Sequence, residues 1–350
     1  MKILSTILLS ALAATSAMAG GDKPIDGLSY SLPKTAVRMQ VLVEKTVTEP
    51  GQLAGFSQLY FGKAGVSTRQ TAYRIVGVSF SSEGRADADR QYTVAIDKKH
   101  SIISVDCAPD GSLLAINTKA QRAKAPAAFV PSPRKAALNP RDYMSQDILS
   151  AGNLPKMAQL VAQEIYDIRD SRSQLSRGEA DFMPKDGEQL RLMYSQLATQ
   201  EAALMQLFQG TTTVDTTATV LSFVPTKENL RPVVFRFSKS FGLCAADDYS
   251  GDPVYANIED TESSKPLPET PAEVAKMKDD FNLGVARPGH IRITLATAEG
   301  KPLGYYETDA AQFGTVEKLN GALFGKKFTS HIILDPATGG VVELKTEPLM

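Results

Sequence analysis

Apolar residues recur at helical spacing twice between Asn153 and Gly210. Met157, Leu160, Val161, Ile165, Ile168 and Leu175 form one stripe; Leu190, Met193, Leu197, Leu204, Met205 and Phe208 form a second. Asn153 is placed to cap the first helix, Pro155 falls in its tolerated first turn, and Gly178 stands where a left-handed residue ends a helix. Gly210 closes the second helix. The connection at 178–187, with Pro184 and Gly187, is short enough to make the two helices antiparallel neighbours. Elsewhere the period is two. Val37, Met39, Val41 and Val43 alternate with polar residues, as in a half-buried strand. Pro50-Gly51 ends that run, and residues 53–61 read as a short helix stopped by Gly62. Strands are expected at 73–80, 92–96, 102–107 and 113–116, with Pro109-Asp110-Gly111 as a hairpin turn. After the helices, β-branched and alternating runs predict strands at 211–224, 233–237, 254–258, 290–295, 303–307, 328–334 and 341–344. The acidic stretch 262–280 reads as an exposed loop with a short helix near Pro271.

The expected fold is α+β and mostly β, with two β-rich parts separated in sequence by an antiparallel helical hairpin. Its parts are a leader at 1–19, a β-rich region at 20–120, a linker at 121–152, the hairpin at 153–210 and a β-rich region at 211–350. Pro126, Pro131, Pro133 and Pro140 mark the linker.

The leader changes the picture most. Lys2, an apolar run from Ile3 to Ala14, and Ala17-Met18-Ala19 form the three regions of an export signal. That run is too short to stay in a bilayer, and no cysteine lies near Ala19 to carry a lipid. A periplasmic or secreted protein beginning near Gly20 is expected, without a transmembrane segment or lipid anchor. Hydrophobic residues at 43% and charged ones at 22% are ordinary globular values. A formal net charge of −1 gives no electrostatic reason to expect nucleic acid. An exported chain permits a disulfide between Cys107 and Cys244, but Cys107 also continues the alternation of Ile103 and Val105 and suits a core as a small hydrophobe.

The strings "GLSYSLPKT", "KMAQLVAQEIYDIRDSR", "RGEADFMPKDGEQLRLM", "QEAALMQLFQGTTT" and "DPATGG" carry a resemblance. From Gly27 to Leu344 the chain resembles the DUF4831-type family of exported Bacteroidales proteins, a domain of unknown function. "EPGQLAGFSQLYFG" is similar to that family's short N-terminal helix. The resemblance implies an envelope location and one shared architecture. It implies no activity and no catalytic residue.

Candidate chemistry is sparse. Ser31 and Lys34 have the Ser-x-x-Lys spacing of penicillin-binding enzymes, but Pro33 opposes the helix that chemistry needs and the supporting Ser-Asp-Asn and Lys-Thr-Gly strings are missing. His100, His290 and His331 are far apart, which argues against a His-based triad or metal site. Asp247, Asp248 and Asp252 could ligate calcium, although their spacing departs from the EF-hand and a polar turn explains them equally. Tyr249, Tyr305 and Tyr306 could stack on sugars or line half-buried strands. No cofactor motif is present. Glu164 and Glu201 are the oddest residues, because at about 100° per residue both fall inside the apolar stripes. The turn centres near Phe182 and Met183, so an antiparallel register sets the two opposite each other. Either they share a proton or a cation reaches them, with Arg172, Arg236 and Lys239 as candidates. Two function classes follow: a non-enzymatic envelope module that binds a glycan, peptide or protein, and a hydrolase using Glu164 and Glu201.

Overall fold

Strand β1 (Gly27–Glu49) contributes to two hydrophobic cores and runs up to the edge of a third. The computed structural model describes residues 27–95, 100–120, 122, 126–133, 137–180, 186–263 and 283–349. The leader, the helix expected near Pro271 and the hairpin tip at 181–185 lie outside the described residues. A short helix α1 (Ser57–Phe61) follows β1, then β2 (Gln70–Ala95), β3 (Val105–Cys107) and β4 (Leu113–Ile116). The helical region holds α2 (Gln146–Leu149), α3 (Leu154–Arg177) and α4 (Gly187–Gln209). The remaining strands are β5 (Thr211–Phe223), β6 (Val233–Ser238), β7 (Gly242–Cys244), β8 (Asp252–Asp260), β9 (Leu283–Thr297), β10 (Pro302–Leu319), β11 (Phe328–Leu334) and β12 (Val341–Pro348). The fold is α+β and mostly β.

Among the described residues three antiparallel sheets result, ordered β2-β1-β5, β10-β9-β8-β6-β7 and β12-β11-β4-β3. Strands from before and after the helices share two of them, since β5 pairs with β1 and β11 pairs with β4. The division into two β-rich parts therefore describes chain order, while in space the parts are interleaved. Alternation builds the first core: Val37, Met39, Val41 and Val43 of β1 face Ile291, Ile293 and Leu295 of β9 and Val254, Ala256 and Ile258 of β8. Earlier in β1, Tyr30 and Leu32 enter a second core with Leu113, Ile116, Leu283, Val285, Ile332 and Leu334.

Beyond the far end of β1 lies the third core. Val161, Ile165 and Ile168 of α3 and Leu204, Leu207 and Phe208 of α4 close over Leu53, with Phe56, Tyr60 and Phe61 packed against them. The hairpin thus buries its stripes on the β1–β2 connection, not between the sheets. Its ends are formed by the expected groups. Asn153 Oδ1 accepts from Lys156 N at 2.9 Å, and Gly178 takes the left-handed conformation at φ +73°. Asp186, a residue of the expected connection and not an expected cap, caps α4 by accepting from the backbone N–H groups of Glu188 and Gln189.

Two expected strands, 73–80 and 92–96, are one. The charged stretch between them stays extended because β1 satisfies its backbone regardless of side-chain polarity. The pairing shifts from Ser31↔Gln91 to Pro33↔Ala86, so residues 87–90 bulge from β2. A second bulge, at 311–314, interrupts β10 opposite Pro288 of β9. Both cysteines are free, Cys107 half-buried beside the second core and Cys244 buried on β7. No helix among the described residues is long and apolar enough to cross a membrane.

Candidate ligand clefts at the three-sheet junction

The two bulges meet where the first and second cores adjoin, and the loop 335–340 between β11 and β12 is seated against them. Its sequence, Asp-Pro-Ala-Thr-Gly-Gly, folds on itself. Asp335 Oδ1 accepts from Ala337 N at 2.9 Å, Thr338 N at 2.8 Å and Thr338 Oγ1 at 3.1 Å. Gly339 N donates to Asp335 O at 2.7 Å with Gly339 at φ +70°, where a side chain would also strike the Pro33 ring.

Hydrogen bonds then tie the loop to β1 and β9, and through Thr35 to β10. Thr35 Oγ1, fully buried on β1, donates to Ala337 O at 2.9 Å and accepts from Ala311 N at 3.0 Å. Ala286 N of β9 donates to Gly339 O at 3.2 Å. Gln312, in the β10 bulge, donates to Thr35 O and Pro225 O and accepts from Thr35 N. Arg90, in the β2 bulge, donates to Ala311 O at 3.3 Å. Beside it the buried Asp87 carboxylate takes Lys34 Nζ at 2.9 Å and Arg90 Nε at 3.6 Å. Lys34 is consequently a structural cation, and Ser31 sits three residues away on a strand that sends the two side chains to opposite faces.

Clefts open on either side of this loop, and Ser82 and Ala337 line both. The larger, about 660 Å³, is walled by Arg287, Thr308, Asp309, Glu317 and Thr338. Arg287 pairs with Glu317 at 3.0 Å, and His290 Nδ1 lies 2.9 Å from Asp309 Oδ1. Ser82 Oγ sits at its floor, 2.8 Å from Thr308 Oγ1 and 2.9 Å from the Tyr306 hydroxyl. The smaller, about 370 Å³, is walled by Arg38, Ser81, Glu83, Asp110 and Arg122. Burial pushes the Asp110 carboxyl up, but backbone N–H groups of Ser112 and Ala86 outweigh that and hold it below the usual carboxylate range. Glu83 is paired with Arg85. Arg38 and Arg122 have no ion pair among the described residues. The clefts offer hydroxyls, guanidinium groups and backbone, with most of their carboxylates already engaged. That chemistry suits holding a polar ligand.

The helical carboxylates lie elsewhere, in the hairpin. Glu201 Oε1 accepts from Arg169 Nε at 2.7 Å and Glu201 Oε2 from Arg172 at 2.6 Å. Glu164 has no hydrogen bond or ion pair among the described residues. Helical side chains lean toward the N-terminus, so Arg169 and Arg172 reach back along α3 to the carboxylate. Burial pushes the Glu201 carboxyl up, and the two guanidinium groups overcome this and hold it below the usual range. A proton shared with Glu164 is therefore replaced by an arginine clamp. Arg172 was legible as a flanking cation, whereas Arg169, which also stacks over Phe61 at 5.4 Å, was missed. The other two candidates lie elsewhere: Arg236 donates to Ala246 O and Gly251 O, and Lys239 lines a cleft with Tyr73 and Asp252.

The calcium candidates form a turn. Asp248 Oδ1 accepts from Ser250 N at 3.0 Å and Ser250 Oγ at 2.7 Å, and among the described residues no three His, Cys, Asp or Glu side chains are grouped to hold a metal. Asp252 opens β8 and Asp247 is exposed. Tyr249 and Tyr305 are exposed, with Arg236 stacked over Tyr249 at 4.3 Å, while Tyr306 stacks on Phe80 at 5.5 Å. His290 and His331 belong to different sheets. The junction itself was hidden in the sequence: "DPATGG" reads as a turn, and nothing local marks Thr35, Gln312 or Arg38 as its neighbours.

No curated protein and no solved structure matches the chain. A family model described as a domain of unknown function (DUF4831) matches residues 26–342, the span that contains both strand bulges and the 335–340 loop, and the chain belongs to that family.

Proposed function

We propose that the protein is an exported, non-enzymatic binding or scaffold module that holds an envelope glycan, peptide or protein partner in the clefts beside the 335–340 loop. The observation that carries this reading is the junction: two strand bulges, a fully buried Thr35 and a self-capped loop hold open clefts that set preorganised polar groups among apolar walls. The export signal at 1–19 supports an envelope location. A hydrolase working through Glu164 and Glu201 would need a carboxylate free to attack or to move a proton, and both Glu201 oxygens are held by arginine.

Glycan and peptide arrays probed with the chain beginning at Gly20 test the reading. Binding that falls in Arg38→Ala or Arg287→Ala and survives in Glu201→Gln supports it. Cleavage of an array member that is lost in Glu201→Gln overturns it. Cell fractionation with N-terminal sequencing tests the location, and recovery mainly as an acylated membrane protein would contradict it.

A further inference from the structure

Among the described residues six strands lie at sheet edges, and they are not alike. β3 and β7 have three residues each, β2 and β10 carry bulges and several charges, and β12 carries Glu343, Lys345, Glu347 and Pro348. These are the devices that keep an edge from pairing with another chain. β5 has none of them. Its thirteen residues pair with β1 on one side without a register shift, and among the described residues no strand lies on the other. It contains no proline, lysine or arginine, one charged residue (Asp215) and six threonines. Val214 and Val220 stand 51% and 48% exposed on the sheet face away from the first core.

We infer that β5 is the self-pairing edge of a symmetric dimer, joining two three-stranded sheets into one six-stranded sheet. This goes beyond the cleft reading and does not depend on it. In an antiparallel pair, opposed residues either both direct their backbone groups at the partner or both direct them away. Outward groups alternate along β5, so a two-fold axis can pass only through a residue. Thr217 is the midpoint of the strand. An axis there matches all thirteen residues, sets Val214 of each copy opposite Val220 of the other, and places Asp215 opposite Thr219. An axis through Asp215 would oppose two carboxylates, which is unfavourable. The axis through Thr217 therefore combines full overlap, apolar pairing and no like-charge contact, as a self-complementary interface requires.

Analytical ultracentrifugation of the chain beginning at Gly20, over a concentration series, should show a dimer. The double variant Val214→Lys with Val220→Lys should dimerise roughly tenfold more weakly while keeping its circular dichroism and melting transition, because both positions are half exposed. Mild oxidation fixes the register. Thr217→Cys alone should crosslink, as should a mixture of Val214→Cys and Val220→Cys, whereas Val214→Cys alone should match the wild-type background of Cys107 and Cys244. A monomer at every concentration, a dimer indifferent to the lysines, or crosslinks centred elsewhere would each overturn the inference.

Discussion

Replacing Glu201 by glutamine tests the hairpin most directly. The change keeps one oxygen for Arg169 or Arg172 and turns an NH2 donor toward the other, so one charge-assisted hydrogen bond is lost and the second is weakened. Glu201 is 16% exposed, while Arg169 and Arg172 are 40% and 41% exposed. Breaking a fully buried pair costs about 3–5 kcal/mol and a surface pair about 0–1 kcal/mol. A shielded carboxylate with half-wet partners lies between these, so Glu201→Gln should destabilise by about 2 kcal/mol at neutral pH. Urea denaturation at constant salt measures it. The pH dependence has a definite sign. The folded carboxyl titrates below its ordinary value of 4.5, so the clamp is complete above pH 4.5 and is lost as pH falls through the lower folded value. This group adds no slope between pH 5 and 8, and the gap between wild type and variant should close in acid. Arg169→Met should cost less in the glutamine background than in wild type. A loss below about half a kcal/mol at neutral pH, a gap that persists in acid, or a stabilised variant would refute the clamp.

Three further predictions concern packing. Gly84→Ala should destabilise by about 2 kcal/mol or more and perturb both clefts by crystallography, because its Cβ would fall on the Pro336 carbonyl oxygen. Ile168→Ala should cost about 2–5 kcal/mol in the same urea assay, and half-buried Leu197→Ala less; equal losses would mean the α3–α4 stripe is buried differently. Mass spectrometry under non-reducing conditions should find both thiols free. Cys107, whose thiol is pushed up by burial and by neighbouring Asp106, should react slowly with thiol reagents until the chain unfolds.

Local patterns alone determined most of the elements. The hairpin ends follow from Asn153 and Gly178, groups that act within one turn of the backbone, and β11 spans the predicted residues 328–334. The amphipathic period placed Glu201 within a buried stripe, because exposure along a helix is set by angle. Only the tertiary structure decided the rest. A strand's alternation says which face is buried but not which strand lies beside it, so the pairings β1–β5 and β4–β11 could not be read. The break expected after residue 80 failed for a similar reason: β1 supplies backbone hydrogen bonds to a stretch whose side chains favour a loop. Arg169 finds Glu201 by the length and lean of its side chain. Thr35, Ala286, Ala311 and Ala337 meet only because three sheets converge there, and contacts between residues hundreds of positions apart leave no trace in local period or propensity.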